Sequence, residues 1–185
     1  MISINGEKAL KDMLANSMGL PEYKYILEHY RETDITMDDD FQRTFNHFYR
    51  VRRNEKWRER YYMIFESYKR YQKEITFKSI LDNIYDSTGT IEASFASKML
   101  ATFDTSKPIW DSKVLSALNI KVVGKTVTEK KESVINNYER LEEWYLEYLK
   151  SEEAKKNIEI FDGMLSDFSW ISSTKKIDYM LWITG

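Results

Sequence analysis

The sequence predicts an all-α protein, with residues 1–185 forming a single domain of eight to ten helices. Apolar residues recur at i, i+3, i+4 and i+7 along nearly the whole chain, which is the period of helices that bury one face. Only six glycines and two prolines interrupt the pattern, mostly at expected helix boundaries. An aromatic content of 15% favours a packed interior. The pattern also allows two lobes, residues 1–75 with the C-terminal helices and residues 76–125, with a cleft between them.

Five helices are expected in the first half of the chain. Gly19 suits the end of the first helix and Pro21 the first turn of the second, while Asp39 or Asp40 is the expected N-cap of the third and Thr76 that of the fifth. The inward residues are expected, helix by helix, to be Leu10, Met13, Leu14 and Met18; Tyr23, Ile26, Leu27 and Tyr30; Phe41, Phe45 and Phe48; Tyr61, Ile64, Phe65 and Tyr68; and Phe77, Ile80, Leu81, Ile84 and Tyr85.

The second half begins after a turn at residues 87–90. Residues 92–118 contain two helix starts, and residues 119–128 are expected to be a loop with at most a short extended piece. Thr128 is expected to begin a long helix whose inner face repeats at nearly heptad spacing. Two further helices are expected, at residues 158–168 and 174–182. The residues of that inner face are Val134, Tyr138, Leu141, Tyr145 and Tyr148.

Composition excludes several classes of site. The chain has no cysteine and two histidines, so thiolate chemistry is excluded, and we expect no metal site and no cofactor. No apolar run approaches the length of a membrane span, and the first residues lack the apolar core of a signal peptide. We therefore expect a cytoplasmic protein with no membrane contact.

Positive charge is concentrated in one segment, although the formal net charge is only -2. The stretch from residue 49 to residue 60 contains six cationic side chains and two aromatic residues, an arrangement typical of phosphate binding. The alternative is a solvated helix face that forms ion pairs through Glu55 and Glu59. The cationic residues are Arg50, Arg52, Arg53, Lys56, Arg58 and Arg60, and the aromatic residues are Tyr49 and Trp57.

Residues 92–118 contain the candidate catalytic groups. Small residues precede Lys98 at an expected helix start, where desolvation and the helix dipole would favour the neutral amine that a nucleophile needs. Asp111 follows a Pro-Ile-Trp turn at the start of another helix, where a fixed carboxylate could stabilise a cation or move a proton. Trp110 could stack on a flat ligand.

Each of these residues also has a purely structural interpretation. Lys98 could lay its stem on the core and keep its ammonium in water. Asp111 could cap the following helix by accepting a hydrogen bond from a backbone amide. Trp110 could cover the start of that helix.

These residues together resemble the helix-hairpin-helix superfamily of DNA glycosylases, most of all the branch that removes oxidised guanine. The resemblance extends over about residues 87–118. It implies a hairpin at residues 93–97 that binds DNA phosphate through the backbone of Ser94, Ala96 and Ser97. It also implies that Lys98 is a Schiff-base nucleophile and that Asp111 assists it. Ser94 and Ala96 stand where the family has glycines.

Three functional hypotheses follow. The first is a DNA-binding protein of the DNA glycosylase type, a repair enzyme that excises a damaged base with Lys98 and Asp111. The second is a non-enzymatic helical interaction module, which could form a homodimer through the helix of residues 128–150. The third is a catalytically degenerate relative that keeps only nucleic-acid binding.

Overall fold

The computed structural model describes residues 4–15, 19–71 and 75–184, with the backbone alone described for residues 13, 15, 183 and 184. Within these ranges the chain forms ten α-helices, one short 3-10 helix at Ser166–Phe168 and no strand. The all-α class and the predicted number of helices are therefore confirmed. The helices are α1 Gly6–Ala15, α2 Leu20–His29, α3 Asp39–Phe48, α4 Glu55–Tyr71, α5 Phe77–Thr88, α6 Ala93–Phe103, α7 Ser112–Ala117, α8 Val127–Tyr148, α9 Glu152–Met164 and α10 Ser173–Thr184.

The chain divides into two compact units. Unit 1 comprises Met1–Met18 and Asp104–Gly185, and unit 2 comprises Gly19–Phe103. In unit 1, α1 contacts α9 and α10, and α10 also contacts α7. In unit 2, the contacting pairs are α2 with α3, α4 with α5, and α5 with α6. These bounds differ from those of the two lobes considered from the sequence, and the number of domains stays a prediction.

Polar or glycine residues mark several helix boundaries in unit 2. Asp38, in extended conformation, accepts a hydrogen bond from the amide of Phe41 at 2.8 Å, so the predicted caps Asp39 and Asp40 are wrong by one or two residues. Thr76 and Ser79 form a reciprocal capping box at the start of α5, which confirms that prediction. Gly89 ends α5 with φ 75°, the left-handed conformation that glycine adopts without strain.

The core of unit 2 is aromatic. Phe45 lies at its centre, with ring centroids 6.0 Å from those of Tyr61 and Tyr62 and 5.8 Å from that of Phe65. All four side chains are buried. The tyrosines are tolerated because their hydroxyls are paired: Tyr61 donates to the carbonyl of Phe95 at 3.0 Å, and Tyr62 to Oδ1 of Asn46 at 2.9 Å.

The first helix belongs to unit 1 and only partly follows the prediction. Leu10 is buried, whereas Leu14 is 51% exposed, so the predicted inner face is wrong at that position. The side chain of Met13 and the whole of Met18 lie outside the described residues. Gly19, with φ 56°, directly precedes α2.

The long helix α8 begins at Val127 and not at Thr128. Thr126 is extended and accepts a hydrogen bond from the amide of Glu129, whose side chain accepts in return from the amide of Thr126. The predicted inner face is confirmed, since Tyr138 and Tyr145 are buried with Val134, Leu141 and Tyr148. The following helix, α9, lies at Glu152–Met164 and starts earlier than predicted.

The last helix, α10, buries charged side chains beside apolar ones. Lys175 Nζ lies 2.8 Å from Asp178 Oδ2, and Tyr145 donates its hydroxyl to Asp178 Oδ1 at 3.1 Å. Lys176 Nζ pairs with Asp162 at 2.5 Å and donates to the carbonyl of Ser169. Because each buried charge has a partner, these residues can hold α10 in the core of unit 1. Among the helices in the described ranges, none combines the length and the apolar content needed to cross a bilayer.

Candidate functional site

Lys98 lies in the middle of α6 and not at its start. The helix begins at Ala93, and the carbonyl of Glu92 accepts hydrogen bonds from the amides of Phe95 at 3.0 Å and Ala96 at 2.9 Å. The small residues that precede Lys98 therefore form the first turns of this helix. The prediction of a helix start at Lys98 is wrong.

This helix replaces the hairpin that the resemblance implies at residues 93–97. The amide of Ala96 is bonded within the helix, and the hydroxyl of Ser97 donates to the carbonyl of Ser94 at 3.0 Å. Ala96 and Ser97 are also buried, with 0% exposure. The amide of Ala96 and the hydroxyl of Ser97 are therefore used within the helix. Phosphate binding by Ser94, Ala96 and Ser97 stays a prediction.

The ammonium of Lys98 lies at the carboxyl end of α3. Its Nζ donates to the carbonyl oxygen of Tyr49 at 3.0 Å, and it lies 4.9 Å from the ring centroid of Phe95 and 5.8 Å from that of Tyr49. A carbonyl oxygen and two aromatic rings attract a positive charge. This setting differs from that of a nucleophilic lysine, which needs an apolar site or a neighbouring cation.

Arg53 is held against the start of α6. Its Nη2 lies 2.7 and 2.8 Å from the two carboxylate oxygens of Glu92, and its guanidinium lies 5.6 Å from the ring of Trp57 and 5.4 Å from that of Phe95. The side chain of Glu92 is only 9% exposed, whereas that of Arg53 is 43% exposed. Thr90 donates a further hydrogen bond to Glu92 at 3.0 Å. The charge of Arg53 is thus largely matched by Glu92.

The remaining cations lie around the loop that joins α3 to α4. Arg50 has φ 52°, and the amide of Val51 donates to the carbonyl of Asn46 at 2.9 Å, which ends α3. Residues 51–54 are not helical, so the solvated helix face considered from the sequence could include only the cations from Lys56 onward. Arg50, Arg52 and Lys56 are exposed.

Within the described residues, Arg52 and Lys56 form no ion pair. Arg58 Nη1 donates to the carbonyl of Arg53 at 3.0 Å and Arg60 Nη1 to that of Ser87 at 2.6 Å. A carbonyl is a neutral acceptor, so these bonds fix the arginines without cancelling their charge. We call this area the basic surface of unit 2; it consists of Arg50, Arg52, Arg53, Lys56 and Arg58.

Asp111 belongs to unit 1, and its carboxylate caps α7. Oδ1 accepts a hydrogen bond from the amide of Lys113 at 2.8 Å, and the extended backbone of Asp111 starts the helix. The structural interpretation of Asp111 is confirmed. Trp110 is 8% exposed, so little of its ring is accessible to a stacked base, and this agrees with the alternative that it covers the helix start.

Lys98 and Asp111 belong to different units. Their joint catalytic role stays a prediction. No group of three or more histidine and carboxylate side chains in the described part of the chain has the arrangement of a metal site.

The inner face of α8, proposed from the sequence as a pairing surface, is used within unit 1. Tyr145 is 2% exposed and bonded to Asp178, and Tyr138 donates its hydroxyl to the carbonyl of Pro108 at 2.9 Å. A homodimer through residues 128–150 stays a prediction, but it would have to use other residues of this helix.

The sequence analysis did not identify Glu92, whose carboxylate pairs with Arg53 and accepts a hydrogen bond from Thr90. A signal was present, because Glu92 is the one acidic residue directly before the run of small and apolar residues at 93–97. Its partner, Arg53, is 39 residues away along the chain, and only the fold brings the two together.

Comparisons of this chain with protein-family models, with curated proteins and with solved structures gave no match.

Proposed function

We propose that this protein is a nucleic-acid-binding relative of the DNA glycosylase type, and that the basic surface of unit 2 binds the phosphate backbone. The exposure of Arg50, Arg52 and Lys56 carries this proposal. Nearly all non-specific affinity for DNA comes from such cations, which displace condensed counterions.

The aromatic side chains beside the surface add to this support. Trp57 stacks on Tyr61 with centroids 5.2 Å apart and planes inclined by 15°, and the guanidinium of Arg53 lies over the Trp57 ring. Arginine and aromatic planes next to phosphate-binding cations are a recurrent arrangement in proteins that bind single strands or extruded bases. Trp57 is half-buried, so it offers only part of its ring.

The form of the proposal without base excision has the better support. Lys98 donates to a carbonyl and faces two rings, and Asp111 is engaged as a helix cap. Both observations favour structural roles. Base excision by Lys98 remains the alternative, and the experiment must distinguish it from binding alone.

The first prediction concerns the double variant Arg52→Gln/Lys56→Gln. We expect its affinity for a duplex of about 20 base pairs to fall by about tenfold at low salt. The slope of log affinity against log salt should decrease in magnitude by about 2, because two phosphate contacts are lost. Fluorescence anisotropy between about 50 and 200 mM salt measures both quantities.

The matched control is Lys24→Gln/Lys78→Gln, which removes the same charge from unit 2 at two exposed side chains that pair with Glu28 and Asp82. An equal loss of affinity in this control, or no DNA binding by the wild type, would refute the proposal. Borohydride trapping on duplexes with 8-oxoguanine or an abasic site separates the two forms. An adduct on the 8-oxoguanine duplex that disappears in Lys98→Gln would establish excision, and its absence together with salt-dependent binding would leave the binding form.

A further inference from the structure

Residues 121–130 are ten consecutive exposed residues in unit 1, spanning the loop before α8 and the first turn of that helix. Three of them are valines: Val122, Val123 and Val127 are 46%, 68% and 50% exposed. Neighbouring apolar side chains left in water are a feature of binding surfaces. We call residues 121–131 the valine–lysine loop.

The shape of this loop is fixed by its own hydrogen bonds. Oε2 of Glu129 accepts from the amides of Lys125 at 2.6 Å and Thr126 at 3.0 Å, and Val123 donates its amide to Ser133 Oγ at 2.9 Å. Gly124 has φ 129°, and a Cβ there would lie 2.8 Å from the backbone of Glu129. Residues 121–126 are thus closely folded onto the start of α8. In this conformation Val122, Val123 and Val127 are exposed.

Positive charge surrounds the valines. The loop contains four lysines against a single glutamate, Glu129. Hydrogen bonds from the backbone of Thr126 and Lys125 lower the pKa of Glu129, whose carboxylate is turned toward those amides. Among the described residues, Lys121, Lys125 and Lys130 have no carboxylate partner. The four lysines are Lys121, Lys125, Lys130 and Lys131.

We infer that the valine–lysine loop docks on the surface of an anionic lipid bilayer. The valines enter the interfacial region, where apolar side chains leave water, and the lysines bind anionic headgroups. A nucleic-acid backbone would satisfy the lysines equally well but would leave the valines in water. Because these residues are exposed in one continuous stretch, a deformable lipid surface can contact the valines and the lysines together. This inference uses residues separate from the basic surface of unit 2 and goes beyond the proposed function. It departs from the expectation, drawn from the sequence, that the protein makes no membrane contact.

The second prediction tests this surface by flotation with vesicles of phosphatidylcholine alone and of phosphatidylcholine with phosphatidylserine. The wild type is expected to bind only the anionic vesicles, and less at high salt. Lys121→Gln/Lys125→Gln/Lys130→Gln should lower partitioning by about a hundredfold, since each lysine contributes about fivefold near such a surface. Val122→Ser/Val123→Ser should lower it by about tenfold with all lysines in place.

Two controls in the same unit are matched to these variants. Leu146→Ser removes an apolar side chain that is 62% exposed on α8, and Lys8→Gln/Lys150→Gln/Lys155→Gln removes three exposed charges elsewhere. Both should leave partitioning unchanged. Failure of the wild type to bind anionic vesicles would overturn the inference. Unchanged binding by the valine variant would do so too, because charge alone would then suffice. If the lysine variant lost DNA affinity and no vesicle bound, the loop would be assigned to nucleic acid instead.

Discussion

Glu66 lies within α4 of unit 2, is 5% exposed and is surrounded by donors. Arg70 Nε and Lys69 Nζ each lie 2.7 Å from its carboxylate, and the amide of Ile35 donates to it at 3.2 Å. Burial by itself raises the pKa of this carboxyl, but the hydrogen bonds from Arg70 and Lys69 outweigh burial and leave the pKa lowered. Glu66 therefore links α4 to the chain before α3, and its ion pairs with Lys69 and Arg70 exist only while it is ionised.

The third prediction follows from that lowered pKa. A group whose pKa is lower in the folded state stabilises the protein above its unfolded pKa, about 4.3 for glutamate, and loses this contribution as the pH falls through the folded pKa. We expect Glu66→Gln to reduce the free energy of unfolding by about 2 kcal/mol at neutral pH, because Lys69 and Arg70 lose their charged partner. The loss should shrink below about pH 4. Urea unfolding across this pH range measures it.

The comparison variant is Lys78→Ala, which breaks the exposed pair with Asp82. Its side chain is 64% exposed, so water and salt screen the pair, and the expected change is under about 0.5 kcal/mol. If both variants had equal effects, or if the effect of Glu66→Gln did not depend on pH, the burial of Glu66 would have no electrostatic consequence.

Single residues differ in how well the sequence predicted them. The cluster of cations from Arg50 to Arg58 was apparent, because charge near a helix break is exposed in most folds. The setting of Lys98 was not, because the small residues of 93–97 suit a tight turn and a helix almost equally well. The contact of Lys98 with Tyr49 spans 49 residues and has no local signal.

At the scale of the element, α7 is a helix of six residues, Ser112–Ala117, and short helices depend strongly on their caps. The carboxylate of Asp111 caps its start and accepts from the amide of Lys113. The fourth prediction is that Asp111→Ala lowers the free energy of unfolding by about 1 kcal/mol, whereas Asp111→Asn lowers it by only a few tenths. Thermal unfolding followed by circular dichroism distinguishes the two variants.

Asparagine keeps the capping oxygen but removes the charge, so this pair of variants also separates capping from chemistry. If Asp111→Asn were as destabilising as Asp111→Ala, charge and not the hydrogen bond would be the stabilising feature. If base excision were found and Asp111→Asn abolished it at unchanged stability, the carboxylate would have a catalytic role as well.

Helix existence was predicted well and helix boundaries less well, for a local reason. Asp38, Asp39 and Asp40 are all good N-cap residues, and so are Thr126 and Thr128. The residue that caps is the one in extended conformation, with φ -92° and ψ 92° at Asp38 and φ -94° and ψ 164° at Thr126. Sequence types alone do not determine which of several adjacent candidates has that backbone.

At the scale of the whole molecule, the apolar periodicity predicted which faces are buried but not which helices pair. Unit 1 joins α1 to α9 and α10 across more than 130 residues. Asn157 makes one of these links, because its side chain accepts from the amide of Gly6 at 3.2 Å and donates to the carbonyl of Ile4 at 3.1 Å. A lone asparagine in α9 gives no sequence signal for such a partner.

In both units, the buried tyrosines should make the folded state less stable as the pH becomes alkaline. Burial raises the pKa of Tyr61 and Tyr62 in unit 2 and of Tyr138, Tyr145 and Tyr148 in unit 1. Phenols in the unfolded chain ionise near pH 10. A raised folded pKa means that the stabilisation is complete below the unfolded value and is lost as the pH rises above it.

The fifth prediction is that the protein unfolds cooperatively above about pH 10, with each buried tyrosine lowering the free energy of unfolding by about 1.4 kcal/mol per pH unit. The tyrosinate absorbance of these buried phenols should then appear only as the helical circular dichroism disappears. The control Tyr71→Phe, at a side chain that is 69% exposed, should leave the unfolding midpoint unchanged. If all 13 tyrosines ionised in one phase near pH 10 while the helices persisted, the buried phenols would have access to water and the aromatic cores would be far looser than their burial requires.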